Sequence, residues 1–171
     1  MKTNYTVTVR RLTAPDEWIE AIKSTIGGKS IGKGTTWRRM LNAGHSPIRS
    51  QLYRIVMDGI PSFVSVHFAR HKIGCEHYVQ SMRDDRGGGD DVGRMTPVLH
   101  TMDVNAQAMM TIARARLCFQ SHELTREVMQ YILIELAKID NDLASMCVPM
   151  CEYRGGKCPE LRPCKRVVKI Y

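Results

Sequence analysis

Between Phe68 and Arg83 the chain reads FARHKIGCEHYVQSMR, which puts Arg70, His71 and Lys72 side by side and Ser81, Met82 and Arg83 a short distance on. Arginine offers a rigid fork of donors that matches the oxygens of a phosphate, and lysine a mobile point charge. Histidine adds ring nitrogens that give or take a hydrogen bond near neutral pH. Placed after the apolar run IPSFVSVHFA, such a group would be anchored by that run and aimed at an anionic ligand. Cations also suit a solvated helix end, where they complement the dipole, so spacing alone leaves both readings open. Cys75, Glu76 and His77 are adjacent residues, which rarely face one another, and no third group is placed to orient them. A cysteine nucleophile is therefore not indicated.

The elements that must position these residues are those of a single domain spanning residues 1–171, since 171 residues at 43% hydrophobic composition suffice for one core. Residues 4–11, NYTVTVRR, alternate as a strand does. Thr13 to Ile26 fits a helix with apolar Trp18, Ala21, Ile22 and Ile26, ended by Gly27-Gly28. Thr35 to Asn42 reads as a short helix stopped at Gly44 to Pro47. Gln51 to Met57 reads as a strand with Asp58-Gly59 as its turn, and Pro61 as the first turn of the helix that leads to Arg70. On that helix Phe63, Val66 and Arg70 share a face, as do His67 and His71. DDRGGGDDVG, residues 84–93, is a polar loop, and Val104 to Ile139 comprises two helices meeting near Cys118 to His122. A Cys-rich tail, 147–171, closes in a strand-like KRVVKIY.

A net charge of +8 points to an anionic partner. No extended Lys/Arg run interleaved with aromatics is present, which favours small phosphorylated ligands over nucleic acid. The stretch GGKSIGKGTT resembles a phosphate loop only superficially: Gly34 stands where a serine or threonine must reach magnesium, and no strand precedes it. No apolar segment approaches the roughly 20 residues of a membrane span, and MKTNYTVTVRRL lacks the features of a signal peptide, so a cytoplasmic protein is expected. Cys147, Cys151, Cys158 and Cys164 are four soft ligands that a zinc ion could gather. Their spacing lacks a paired knuckle, so reduced thiols packed in the tail are favoured over structural zinc.

Several of these segments, in order, resemble the flavin-dependent thymidylate synthases. Arg70-His71-Lys72 followed by Ser81-Met82-Arg83 is similar to that family's Arg-His-Arg signature with its Ser-x-Arg, with Lys72 in place of an arginine and one additional residue before Ser81. Gly44-His45-Ser46-Pro47 resembles its Gly-His-x-Ser/Thr-Pro element, and Val104-Asn105-Ala106-Gln107 its Val-Asn-Ala-Arg, with Arg116 eleven residues beyond Asn105. His67 stands where the family has glutamine, and Arg49-Ser50 where it has Glu-His. The cysteine tail also matches that of many members. The likeness runs from about Gly44 to Cys164.

The resemblance implies an α+β fold, a small twisted, mainly antiparallel sheet packed against long helices, assembled as a homotetramer with sites at subunit interfaces. It implies conversion of dUMP to dTMP with methylenetetrahydrofolate as one-carbon donor, FAD as carrier and NADPH as reductant. By position, Arg70, His71, Lys72, Asn105 and His45 would hold cofactor, and Ser81, Arg83, Arg94, Arg116 and His67 would hold substrate. Arg116 would be the catalytic group, stabilising the anionic pyrimidine without losing its own charge. Modification of another pyrimidine, for instance hydroxymethylation, and a non-catalytic nucleotide- or nucleic-acid-binding protein on the same fold are the alternatives.

Overall fold

Strands β1 (Thr6–Arg11), β2 (Leu52–Pro61), β3 (Cys75–Val79) and β4 (Pro97–Asn105) form one antiparallel sheet in the order β1-β2-β4-β3. The computed structural model describes residues 4–86, 88 and 92–164. The basic closing segment KRVVKIY lies outside them.

The alternation in β1 sets the inward row of the sheet. Val7, Val9 and Arg11 lie opposite Met57, Ile55 and Tyr53 of β2. The row continues through His100, Met102 and Val104 of β4 to Val79, His77 and Cys75 of β3. Helices α3 (Ser62–Ala69), α4 (Ala106–Arg116) and α5 (Glu123–Ala137) cover this face. They contribute Phe68, Met109, Ile112, Val128, Met129, Ile132 and Leu136, all essentially inaccessible to water. Helices α1 (Glu17–Thr25) and α2 (Trp37–Ala43) close one end against the turn Ser46–Ser50. Two short helices, α6 (Asn141–Met146) and α7 (Met150–Tyr153), return the chain against α5 and α4. Among the described residues no helix is long and apolar enough to cross a membrane.

One buried carboxylate ties these layers together. Asp140 accepts hydrogen bonds from Tyr53 Oη (2.6 Å), Arg11 (2.9 Å), Trp37 Nε1 (3.1 Å) and the Leu143 backbone N–H (2.9 Å), the last capping α6. Burial and the neighbouring Asp140 push the Tyr53 pKa well up, so its hydroxyl stays a donor.

The sequence reading needs correction at four joints. Asp58-Gly59 does not turn the chain back. Strand β2 continues through it with one extra residue between the pairs Met57–His100 and Ile60–Val98, a β-bulge with Gly59 at φ 77°. A side chain on Gly59 would also lie 3.0 Å from the Asn4 carbonyl oxygen. Pro61 is the last residue of β2 and the N-cap of α3 rather than part of its first turn. Helix α1 starts at Glu17, after the Thr13 to Asp16 stretch. Val104 and Asn105 end a strand instead of beginning a helix, because Val98, His100, Met102 and Val104 alternate with more exposed residues.

Candidate functional site

Helix α3 ends at Ala69 with Arg70 as its C-cap, and His71 and Lys72 follow in the exit to β3. Helix α4 approaches from the other side and delivers Arg116 in its last turn. Arg116 Nε donates to His71 Nε2 at 2.9 Å. Because an arginine nitrogen only donates, His71 must be neutral, with its proton on Nδ1. Burial, then Arg116 and His77, lower the His71 pKa to about 4, in agreement with that proton count.

The surrounding charges are of one sign. His67 has its pKa lowered by burial and then by Arg116, Arg70, His122 and Arg94, so these groups share one positive field. Burial and Arg70 likewise push Arg116 down from its ordinary value. Among the described residues the side chains of Arg70 and Lys72 make no hydrogen bond or ion pair, and neither do the terminal nitrogens of Arg116. An uncompensated cluster of this kind favours an anion, which would relieve the mutual repulsion. His67 Nδ1 is bonded to Thr125 Oγ1 at 2.8 Å, and Arg94 lies over the Phe63 ring at 5.3 Å.

Beside this cluster a cavity of about 340 Å³ is lined by Arg49, Gly74, Asn105, Gln107 and Thr111. Asn105 caps α4, its side chain accepting from the Ala108 N–H at 2.8 Å. Arg49 Nε donates to Gln107 Oε1 at 2.6 Å. Two positions that depart from the family pattern in sequence thus bond to each other. Gly74, at φ 74°, is required here: a Cβ would stand 2.5 Å from Asn105 Nδ2 and 3.0 Å from Ala108 Cβ. Gly74→Ala is expected to displace Asn105, uncap α4 and cost about 2 kcal/mol, combining a lost cap with left-handed strain. A fall in urea midpoint at unchanged slope would show it.

The remaining sequence candidates are more dispersed. His45 is exposed between two clefts of about 460 and 370 Å³, the second lined also by Lys33 of the glycine-rich loop and Arg39 of α2. That loop follows a helix, not a strand, as expected for an ordinary surface loop. Ser81 and Arg83 lie beyond β3, where the Arg83 guanidinium forms an exposed two-point pair with Asp85 at 2.9 and 3.0 Å. Within one chain Arg83 has no bond to the Arg116 cluster.

The tail cysteines separate. Cys147 is buried near Arg114 and Asp140, and burial pushes its thiol pKa up to about 12. Cys151, Cys158 and Cys164 instead join Cys118 around an enclosed cavity of about 140 Å³. Among the described residues no three His, Cys, Asp or Glu side chains are arranged to hold a metal ion. Cys75 is a thiol donor to the His71 carbonyl at 2.8 Å, and burial raises its pKa, so the structure gives it no nucleophilic activation.

Residues outside the sequence candidates also reach the site. Ser65, His77 and His100 are linked by hydrogen bonds beneath His71. The signal for His100 was its inward position in the alternating VLHTMDV.

No family model matches the chain, and no curated protein matches it in sequence. Solved structures do share its fold. Helicobacter pylori thymidylate synthase X, solved with FAD and dUMP, has a TM-score of 0.68 at 12% identity, over 84% of this chain and 99% of that one. The UMP/dUMP methylase PolB from Streptomyces cacaoi, bound to 5-bromo-dUMP, has a TM-score of 0.65 at 13% identity, over 84% of this chain and 94% of that one. The α+β architecture with its four-stranded antiparallel sheet is therefore that of the flavin-dependent thymidylate synthases.

Proposed function

We propose that this chain is a flavin-dependent enzyme that methylates the uracil ring of dUMP. The observation that carries the proposal is Arg116 bonded to a neutral His71 within the positive field of Arg70, with Lys72 next in the chain, in a fold whose solved representatives were captured with FAD and dUMP. The residues fit those ligands: guanidinium and ammonium groups without a carboxylate partner suit phosphates, and a cavity lined by Arg49, Asn105 and Gln107 lies beside them.

When bound, FAD reduced by NADPH supplies the hydride and carries the one-carbon unit from methylenetetrahydrofolate. The protein's own part is placement and charge. Arg70 and Lys72 attract and seat anionic groups, and Asn105 and His71 line their approach. Arg116, fixed at Nε by His71, turns its free terminal nitrogens toward developing negative charge on the pyrimidine. The Arg83 guanidinium is exposed and engaged only by Asp85, and this reading takes the complete site to lie between subunits of a homotetramer, Ser81 and Arg83 coming from a neighbouring copy.

A second reading, methylation of another pyrimidine nucleotide, is supported by the Arg49–Gln107 pairing and by the likeness to a UMP/dUMP methylase. Tritium release from 5-tritiated dUMP and, in parallel, UMP, with FAD, NADPH and methylenetetrahydrofolate, separates the readings. Release from dUMP with formation of dTMP supports the first, and release from UMP alone supports the second. No release from either substrate would overturn both.

A further inference from the structure

Three residues that neither the sequence reading nor the proposed chemistry uses form a continuous chain of hydrogen bonds under the signature. Ser65 Oγ lies 2.9 Å from His100 Nδ1, His100 Nε2 lies 3.0 Å from His77 Nδ1, and His77 Nε2 lies 2.6 Å from the carbonyl oxygen of His71. Ser65 and His100 are 3% and 0% exposed, so water does not replace the bond between them, whereas His77 and His71 are half-buried. The same carbonyl also accepts from Cys75 Sγ, so two donors hold one peptide group at the point where α3 has run out of its own hydrogen bonds.

We infer that Ser65, His100 and His77 form a positioning relay that fixes the His71 peptide, and through it the imidazole that orients Arg116.

Proton counting gives the relay a direction. A carbonyl only accepts, so His77 Nε2 must carry a proton. With His77 neutral, its Nδ1 accepts from His100 Nε2–H, and His100 Nδ1 accepts from the Ser65 hydroxyl. Burial and His77 lower the His100 pKa to about 4, which keeps this ring neutral at pH 7. A second proton on His77 would make both its nitrogens donors. His100 would then have to shift its proton to Nδ1 and donate to Ser65, reversing the relay without breaking it. The groups bonded to the relay are the Ser65 hydroxyl of α3, the His71 carbonyl and, through that carbonyl, Cys75 of β3, with Arg116 of α4 on the His71 ring. Among the described residues no carboxylate is hydrogen-bonded to any of the three rings.

The geometry stands without the proposed reaction, while its catalytic consequence rests on that reading, and the test keeps them apart. Long-range ¹⁵N–¹H spectra of the histidine side chains in ligand-free protein report tautomer and charge directly. In the wild type His71 should be the neutral Nδ1–H form, His77 should carry a proton on Nε2, and His100 should be a single neutral tautomer. His100→Leu, which removes both bonds of the ring, should give His71 a mixture of tautomers and move its titration back toward 6.5. His100→Gln keeps a donor toward His77 and should preserve the wild-type His71 signature. Should His100→Leu fail to fold, Ser65→Ala serves instead and should release His100 into both tautomers. In turnover, His100→Leu should lower kcat at least tenfold with a smaller change in nucleotide KM, since misplacement of a group acts on orientation. An unchanged His71 signature in His100→Leu or, where that variant does not fold, an unchanged His100 signature in Ser65→Ala would overturn the relay. Wild-type protein with the expected tautomers but no turnover would overturn the proposed function and leave the relay standing.

Discussion

Replacing Arg116 with alanine is expected to lower turnover of dUMP by about 10²- to 10³-fold, the loss typical of removing one preorganised charge-stabilising donor. Three features combine at this residue. It is partly buried, so its field is less screened than that of a surface cation. Its Nε is occupied by His71 at 2.9 Å, which fixes the plane of the guanidinium, and its terminal nitrogens remain free for a ligand. Arginine also keeps its charge even where burial and Arg70 depress its pKa. Arg116→Lys should recover little of the loss, because an ammonium on a flexible stem cannot both reach His71 and present a planar fork. The check is kcat from tritium release beside the dUMP Kd from calorimetry. A loss confined to Kd would mark Arg116 as a binding group only.

The largest expected effect on stability lies far from that chemistry. Asp140→Ala should cost about 3–5 kcal/mol, the range for breaking a buried charge pair. It would leave Arg11 without its carboxylate, Tyr53 Oη buried without an acceptor and the first turn of α6 uncapped. Asp140→Asn should cost less, since its amide oxygen can still accept from Leu143 while the ion pair to Arg11 is lost. Urea unfolding followed by far-ultraviolet circular dichroism checks both variants. Equal midpoints for wild type and Asp140→Ala would show that the buried network contributes nothing.

Elements with strong local patterns were legible in the sequence. The alternation of TVTVRR, the glycines that stop α1 and α2, and the helical repeats of α4 and α5 each put their own signal in a short window. Strands β3 and β4 were not read, since Cys75 to Val79 looks polar and β4 merges in sequence with the helix that follows it. Gly59 shows the limit of local reasoning most clearly. Asp-Gly is a hairpin signal by itself, but here the positive φ serves a bulge in a strand that continues to Pro61.

The site divides the same way. Arg70, His71, Lys72 and Arg116 were readable from residue type and order, and the fold brings His71 and Arg116 into contact across 45 positions. Ser65 and His100 were not readable, because a buried serine–histidine bond spanning 35 positions exists only once α3 lies on β4. Cys118 lines the cavity shared by Cys151, Cys158 and Cys164, a grouping no local window of the sequence announces, whereas Cys147 is buried apart from them.

Titration of FAD into the purified chain, read by visible absorbance and calorimetry in the presence and absence of dUMP, is the most direct test of the cationic cluster as a flavin and nucleotide site. One FAD should bind per chain, with affinity falling as salt rises and collapsing in Arg70→Ala and Arg116→Ala. FAD that stays free in solution with and without dUMP, or that binds both variants as tightly as the wild type, would contradict it.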